Sequence, residues 1–324
     1  MSEVMPIDLP VDEDTEKQFA RGERGMRGAA RRTRTRLSKP WASIAAIVIA
    51  VLWTMPTLGL FISSFRPEQQ IKTTGWWTFF ADPQVTLDNY VQVLGSGNSQ
   101  VTMASAFINS IAITIPATVI PLAIACLAAY AFAWIDFKGR DTLFIFIFAL
   151  QIVPIQMALI PLLRSFSQGI NLWGLQITGP LAISGGYAQV WIAHSMFALP
   201  LAIYLLHNFM SEIPADIIEA ARVDGASRGQ IFFRVVLPLT LPAVASFAIF
   251  QFLWVWNDLL VALIFADGPV APITKLLAEI TGSRGNDWQL LTAGAFVAII
   301  VPLIVFFALQ RYFVRGLLAG STKG

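Results

Sequence analysis

Residues Ser211–Pro238 read SEIPADIIEAARVDGASRGQIFFRVVLP, and the reading of the whole chain turns on this stretch. It is polar and has helical texture. Ser211 is a candidate N-cap and Pro214 suits a first turn. Glu212 and Asp216 put negative charge where a helix start favours it. Ile217, Ala220, Ala221 and Asp224 recur at helical spacing, which gives a face of small side chains. Gly225 then marks a helix stop in the left-handed conformation. A second short helix is expected over about residues 227–233, before Leu237-Pro238 opens an apolar run. Two short helices meeting at a glycine elbow, with Ala220 and Ala221 open to close approach, suit docking into a groove of another protein.

The elbow lies between apolar runs. A bilayer core needs about 20 apolar residues per helix. Six stretches qualify: Trp41 to Phe65, Phe107 to Trp134, Thr142 to Leu163, Leu181 to Leu206, Leu237 to Phe265 and Leu290 to Tyr312. Pro154, Pro161 and Pro200 interrupt the third and fourth, and neighbouring helices can re-satisfy the backbone there. The 324 residues are 56% hydrophobic and 13% charged, where soluble domains carry about 25% charged residues. Mean hydropathy is +0.65. Of the 42 charged residues, 16 fall in the first 40 positions. This balance excludes a soluble globular enzyme, a disordered protein and a nucleic-acid-binding domain, so no nucleic-acid partner is expected. The fold class is all-α integral membrane, with six transmembrane helices and a surrounding lipid partner.

Orientation follows from the basic residues. With the N-terminus inside, 17 Lys/Arg face the cytoplasm and five face out: Arg66, Lys72, Arg164, Lys275 and Arg284. That places both termini and the elbow in the cytoplasm. Trp76, Trp77, Trp173 and Trp288 fall near expected outer boundaries. Residues 1–40 form a tail of disordered character, acidic first and then Arg-rich, whose Arg31, Arg32, Arg34 and Arg36 anchor the first span; a lipid-binding role is the alternative. Residues 41–324 form the membrane domain, with the elbow at about 211–233.

Several chemistries are missing. There is no GxxxxGK[ST], HExxH or GxSxG pattern, so no catalytic residue is assigned and the chain is not expected to hydrolyse ATP. The single cysteine, Cys126, excludes a disulfide framework, and His194 and His207 read as packed side chains, with no metal expected. Asp258 is the one carboxylate inside an expected span. It either caps a broken helix, since Asn257-Asp258 favour a helix start, or lines a polar pathway. Gln151, Gln251, Trp254, Asn257 and Asp258 are pathway candidates, with Asn109 and Gln156 beside them; Gln and Asn also bridge helices structurally. The outer segment Arg66–Ala106 is long enough for a small docking structure.

Here the chain resembles a known family. Glu219-Ala220-Ala221, Gly225, Val235 and Leu237-Pro238 match the EAA loop of ABC-importer permeases, with Val235 where Ile is common. The segment Trp256-Asn257-Asp258 and the ending Gln310–Gly324 resemble carbohydrate-uptake permeases, and Phe250–Phe265 looks similar to α-glucoside permeases. The resemblance runs over about residues 41–324. It implies the ABC type I importer permease fold in the cytoplasmic (inner) membrane of a prokaryote. It implies a second homologous permease, an ABC ATPase homodimer and an extracytoplasmic sugar-binding protein as partners. ATP and Mg would sit on the ATPase, with no cofactor on this chain. It gives Glu219, Ala220, Ala221, Asp224 and Gly225 the role of coupling to that ATPase. It gives the tail, with Gly320, Lys323 and Gly324, a contact between the ATPase subunits; a plain solvated end is the alternative. The cargo would be a carbohydrate, an oligosaccharide such as an α-glucoside. An oligopeptide, phosphate or polyamine permease is the rival on cargo, and a secondary carrier the rival on class.

Overall fold

The computed structural model describes residues 40–98, 100–173, 175–180, 186–282 and 287–319. The expected tail before Pro40 and the residues Gly320, Lys323 and Gly324 lie outside them. Residues from Phe61 onward pack as one compact unit, and those up to Leu60 belong to another, so the division falls inside the first helix.

Five helices are long and apolar enough to cross a membrane, and a bent pair makes a sixth candidate. Helix α1 is Pro40–Ser64. A connecting segment carries the short α2 (Glu68–Thr73), a 3-10 turn over Trp76–Phe80 and α3 (Asp88–Gly95). Helix α4 (Met103–Trp134) starts on a Thr102–Ser105 capping box. Helix α5 (Arg140–Ala149) and its 3-10 extension to Ile152 meet α6 (Ile155–Gln168) at 104°. A hairpin of β1 (Ile170–Leu172) and β2 (Leu175–Thr178) follows. Next come α7 (Ala188–Ser211), α8 (Ala215–Val223), α9 (Arg228–Ile231) and α10 (Leu237–Trp256). The described residues end with α11 (Leu260–Phe265), α12 (Ile273–Gly282) and α13 (Trp288–Ala319).

Three expected boundaries are corrected. The third span is broken rather than kinked: Val153 and Pro154 are extended, because Pro154 disfavours helix at the residue before it and donates no N–H. The fifth run of 237–265 is two helices, parted at Asn257. The second elbow helix does not stop. It passes through a π-helical turn, Phe232–Val236, straight into α10, so Arg228–Trp256 is one rod. Pro238 accounts for that turn, since its ring clashes with the carbonyl four residues back and a widened turn relieves the clash.

The centre is α4 against α7, the most extensive helix pair. Ala117, Ala125 and Ala129 of α4 and Ala193, Ala198 and Ala202 of α7 are buried. Small side chains let the two backbones approach, which drives association in lipid better than apolar bulk. At the end opposite the elbow, α3 and α12 pack on α13. A Cβ on Gly294 would sit 2.7 Å from Leu277 and 3.2 Å from Val93, so only glycine permits this approach.

Prolines inside α4 and α13 leave carbonyls without their helical donor. Pro116 and Pro121 leave those of Ala112 and Ala117, and Pro302 leaves that of Ala298. Each is taken by a side chain of a neighbouring helix. Trp191 Nε1 donates to Ala112 at 3.0 Å, Gln251 Nε2 to Ala117 at 3.2 Å, and Trp256 Nε1 to Ala298 at 3.0 Å. Asn109 adds a fourth brace. Its amide donates to the carbonyls of Pro269 (2.7 Å) and Ala271 (3.0 Å), and its Oδ1 accepts from the Tyr187 hydroxyl at 2.7 Å.

Asn109→Leu strips three buried or half-buried hydrogen bonds at once. It should cost about 1–3 kcal/mol, the usual penalty for buried polar groups left unmade. A thermal melt of the detergent-purified protein reads this directly, and an unchanged midpoint would remove Asn109 from the braces.

Candidate functional site

Two places concentrate chemistry: the elbow, and a cleft at the break in the third span.

The elbow begins at Pro214, which is the N-cap of α8; Ser211 is instead the last residue of α7, with its hydroxyl 3.3 Å from His207 Nε2. That corrects the expected cap, because nothing stops α7 until the approach of Pro214. Helix α8 closes with a two-bond cap. Gly225 N–H donates to the Arg222 carbonyl and Ala226 N–H to the Ala221 carbonyl, both at 3.0 Å. Gly225 has φ +81°, yet a Cβ there would meet nothing within 4 Å. Glycine is required for conformation alone. Ser227 and Gln230 then form a capping box that starts α9.

Ile218, Ile231 and Phe232 are buried with Met210 and Tyr130, and the Tyr130 and Phe232 rings meet tilted, with centroids 5.2 Å apart. Ala221 is half-buried on the same cluster. Glu219, Ala220, Val223 and Asp224 face out, Val223 being 87% exposed. The expected small-residue face is therefore split, since Ala221 turns toward Ile218. Three polar ties in and beside the elbow end on backbone carbonyls. The Tyr130 hydroxyl donates to Arg228 O (3.1 Å), Arg222 Nη2 to Trp134 O (3.3 Å) and Trp134 Nε1 to Met210 O (3.0 Å).

The cleft holds about 470 Å³ between the end of α5, the start of α6, the middle of α7 and α10. Gln151, Gln251 and Trp254 line it together, with Phe197, Phe247 and Phe250 among its apolar walls. No lining side chain is charged. His194, fully buried on α7, meets the Trp254 ring edge-to-face at 5.7 Å, and its Nε2 lies 3.7 Å from Asp258 Oδ2.

The remaining candidates sit elsewhere. Asp258 Oδ2 accepts from the backbone of Val261 (3.0 Å) and Ala262 (3.1 Å), so it caps α11, and it borders a small separate cavity with Ser110 and Thr114. Asn257 is exposed, and its amide donates to its own helix at Leu253 O, 2.7 Å away. Gln156 is exposed and outside the cleft lining. Among the described residues, no three His, Cys, Asp or Glu side chains converge as metal ligands. The segment expected to lie outside folds around Arg66, whose buried guanidinium donates to Gly75 O (3.1 Å), Thr74 Oγ1 (2.6 Å) and Thr78 Oγ1 (3.0 Å). Sequence reasoning missed His194 as the support of Trp254, and it missed Pro200, which lines the cleft. Pro200 was visible as an intramembrane proline; His194 carried no signal of its pairing with Asp258.

A helical membrane unit with an uncharged cleft at a broken span and an outward-facing elbow defines a permease-type transport subunit. The chain belongs to the family of binding-protein-dependent transport system inner membrane components, which it matches over residues 121–318. It is an ABC-importer permease, a multi-pass transport component rather than an enzyme. It is 54% identical over 286 residues to the osmoprotective compounds uptake permease protein GgtD of Synechocystis sp., covering 86% of this chain and 91% of that one. It is 38% identical to the alpha-glucoside transport system permease protein AglG of Rhizobium meliloti, covering 88% and 97%. In fold it is similar to a chain of a bacterial ABC transporter involved in the import of the acidic polysaccharide alginate, with TM-score 0.66 and 20% identity, covering 86% of this chain and 97% of that one.

Gly225→Val should loosen the elbow, because a β-branched residue at φ +81° costs at least about 1–2 kcal/mol, whereas Gly225→Asn should hold it. Limited proteolysis at Arg222 and Arg228 reports this: faster cutting in the Val variant alone is expected, and equal rates in both variants and the parent would refute it.

Proposed function

We propose that this chain is one of two homologous permeases in an ATP-driven importer of a neutral carbohydrate, an oligosaccharide such as an α-glucoside. An extracytoplasmic sugar-binding protein delivers the cargo, and an ABC ATPase homodimer, which holds ATP and Mg, drives the cycle. The membrane is the cytoplasmic (inner) membrane of a prokaryote, with both termini and the elbow inside.

The observation that carries the cargo class is the lining of the cleft. Aromatic and amide side chains meet there without one charge. Phosphate calls for cationic donors and polyamines for carboxylates, so those cargoes fit it poorly. A neutral sugar asks for flat apolar faces and hydrogen-bonding groups, and the cleft offers both. The family membership and the alpha-glucoside relative support the same reading. A second reading has its own support: the relative that shares 54% identity is named for osmoprotective compounds, so a small neutral compatible solute is the alternative cargo.

In this mechanism closure of the ATPase dimer moves α8, whose outer face carries Glu219, Ala220 and Asp224. The motion enters the spans through the rigid cap at Gly225 and the continuous Arg228–Trp256 rod. Nucleotide shifts the spans only if it binds the two arrangements differently, so the lever must be stiff and its contact mobile. The tail residues Gly320, Lys323 and Gly324 add a second contact with the ATPase.

The test is ATP hydrolysis by the complete complex in lipid, titrated with binding protein and maltose, trehalose, sucrose or a non-sugar control. Stimulation by one sugar, reduced at least roughly tenfold by Glu219→Lys in a complex that still assembles, is expected. Stimulation only by a non-sugar would discard the carbohydrate. Undiminished stimulation in Glu219→Lys would discard the coupling role.

A further inference from the structure

A second cavity, of about 280 Å³, lies where three spans end together. Phe132 comes two residues before the end of α4, Arg140 opens α5, and His207 comes four residues before the end of α7. Asp141, Phe144 and Ile145 of α5 complete the lining. Phe144 lies against the His207 ring, with centroids 4.3 Å apart. Apolar spans end where hydrocarbon gives way to headgroups, so a cavity at three such ends sits at headgroup depth. Ile145, Phe148 and Ile152 recur at helical spacing and are all exposed. They continue the apolar wall from the cavity along α5 into the bilayer.

The rim of the cavity carries both signs of charge. Arg140 Nη1 donates to Asp136 Oδ1 and Nε to Asp141 Oδ1, both at 3.0 Å. Arg140 Nη2 has no acceptor among the described residues. Both carboxylates are exposed, and each keeps Oδ2 for a further donor. With Lys138, the turn holds two cations and two carboxylates. A purely anionic headgroup would meet those carboxylates, and a neutral sugar has no use for fixed charge. Opposite signs side by side above an apolar wall complement a zwitterionic amphiphile.

We propose that this cavity seats a phospholipid whose headgroup carries a phosphate and a primary ammonium, phosphatidylethanolamine. The phosphate accepts from Arg140 Nη2, the ammonium donates to Asp141, and an acyl chain lies along Ile145 and the exposed side of α5. Both polar contacts are charge-assisted and so stronger than neutral ones. A quaternary ammonium has no N–H, so phosphatidylcholine forfeits the second. The site is independent of the cargo. It borders the anchorage of the elbow, because Phe132 belongs to the same buried cluster as Ile218 and Phe232.

The experiment uses the complete complex, stripped of lipid in detergent, and a cysteine probe in the cavity. Ile145 is exposed, so Ile145→Cys leaves the packing intact, and the parent chain with its buried Cys126 is the blank for labelling. Phosphatidylethanolamine should slow the reaction of Ile145→Cys with a maleimide. Phosphatidylcholine, phosphatidylglycerol and inorganic phosphate should each need a concentration at least roughly tenfold higher for the same protection. Adding Arg140→Gln or Asp141→Asn should weaken protection by phosphatidylethanolamine roughly tenfold at an unchanged melting midpoint. The Asp141 side chain is largely exposed, so that variant keeps the test open if Arg140→Gln misfolds. Equal protection by phosphatidylcholine and phosphatidylethanolamine, or no loss in Asp141→Asn, would overturn the site. Protection by phosphatidylglycerol or phosphate alone would make it an anion site, and protection by maltose or trehalose alone a cargo site; either overturns it. A cysteine that labels in this chain alone but never in the complex would give the cavity to the second permease and overturn it too.

Discussion

Every backbone carbonyl at membrane depth needs a donor, and this chain places prolines where the helix cannot supply one. Five prolines fall within α4, α7, α10 and α13 apart from the one at the start of α10. At Ala112, Ala117 and Ala298 the missing donor comes from Trp191, Gln251 and Trp256 of other helices. These are the bonds that bring α7 and α10 onto α4, and α10 onto α13, in fixed register. Apolar packing could not do this alone, because lipid tails compete equally for apolar surface. Pro116, Pro121 and Pro302 are thus cross-helix addresses rather than defects.

The same requirement shapes both candidate sites. At the cleft, Gln251 uses its nitrogen on a proline-freed carbonyl. At the elbow, Pro238 widens the turn that joins α9 to α10, and the tie points are again carbonyls, those of Arg228, Trp134 and Met210. Asp258 fits the pattern as well, capping the helix that restarts after the break and lying close to His194, which steadies Trp254. The membrane core and both candidate sites are therefore held by the same kind of bond, between a side chain and the main chain.

The elbow was legible because its signals are local. Gly225 needs only its own φ, and the Ser227–Gln230 box needs only four residues. The existence of the spans was legible because apolar length alone decides it. Other features depend on tertiary partners and were not. Pro154 and Pro200 look alike in sequence, yet one breaks its span by 104° and the other sits inside an uninterrupted helix. Asn109, Gln151 and Gln251 were equally plausible as pathway groups. Only the fold separates them: Asn109 spends all its bonding on the protein, Gln251 half of its own, and Gln151 faces the cleft. The split of α8 at Ala221 was hidden for the same reason, since the cluster it packs on draws residues from α4, α7 and α9.

The ties of the elbow have one more consequence. Because they end on main-chain oxygens and on a backbone conformation at Gly225, they do not depend on which side chains occupy the outward positions 219, 220, 223 and 224. The outer face can drift in sequence, or be transplanted from a relative, without disturbing how the spans pack. Under the proposed coupling role, recognition by the drive unit and integrity of the membrane core are then separable traits, free to diverge at different speeds.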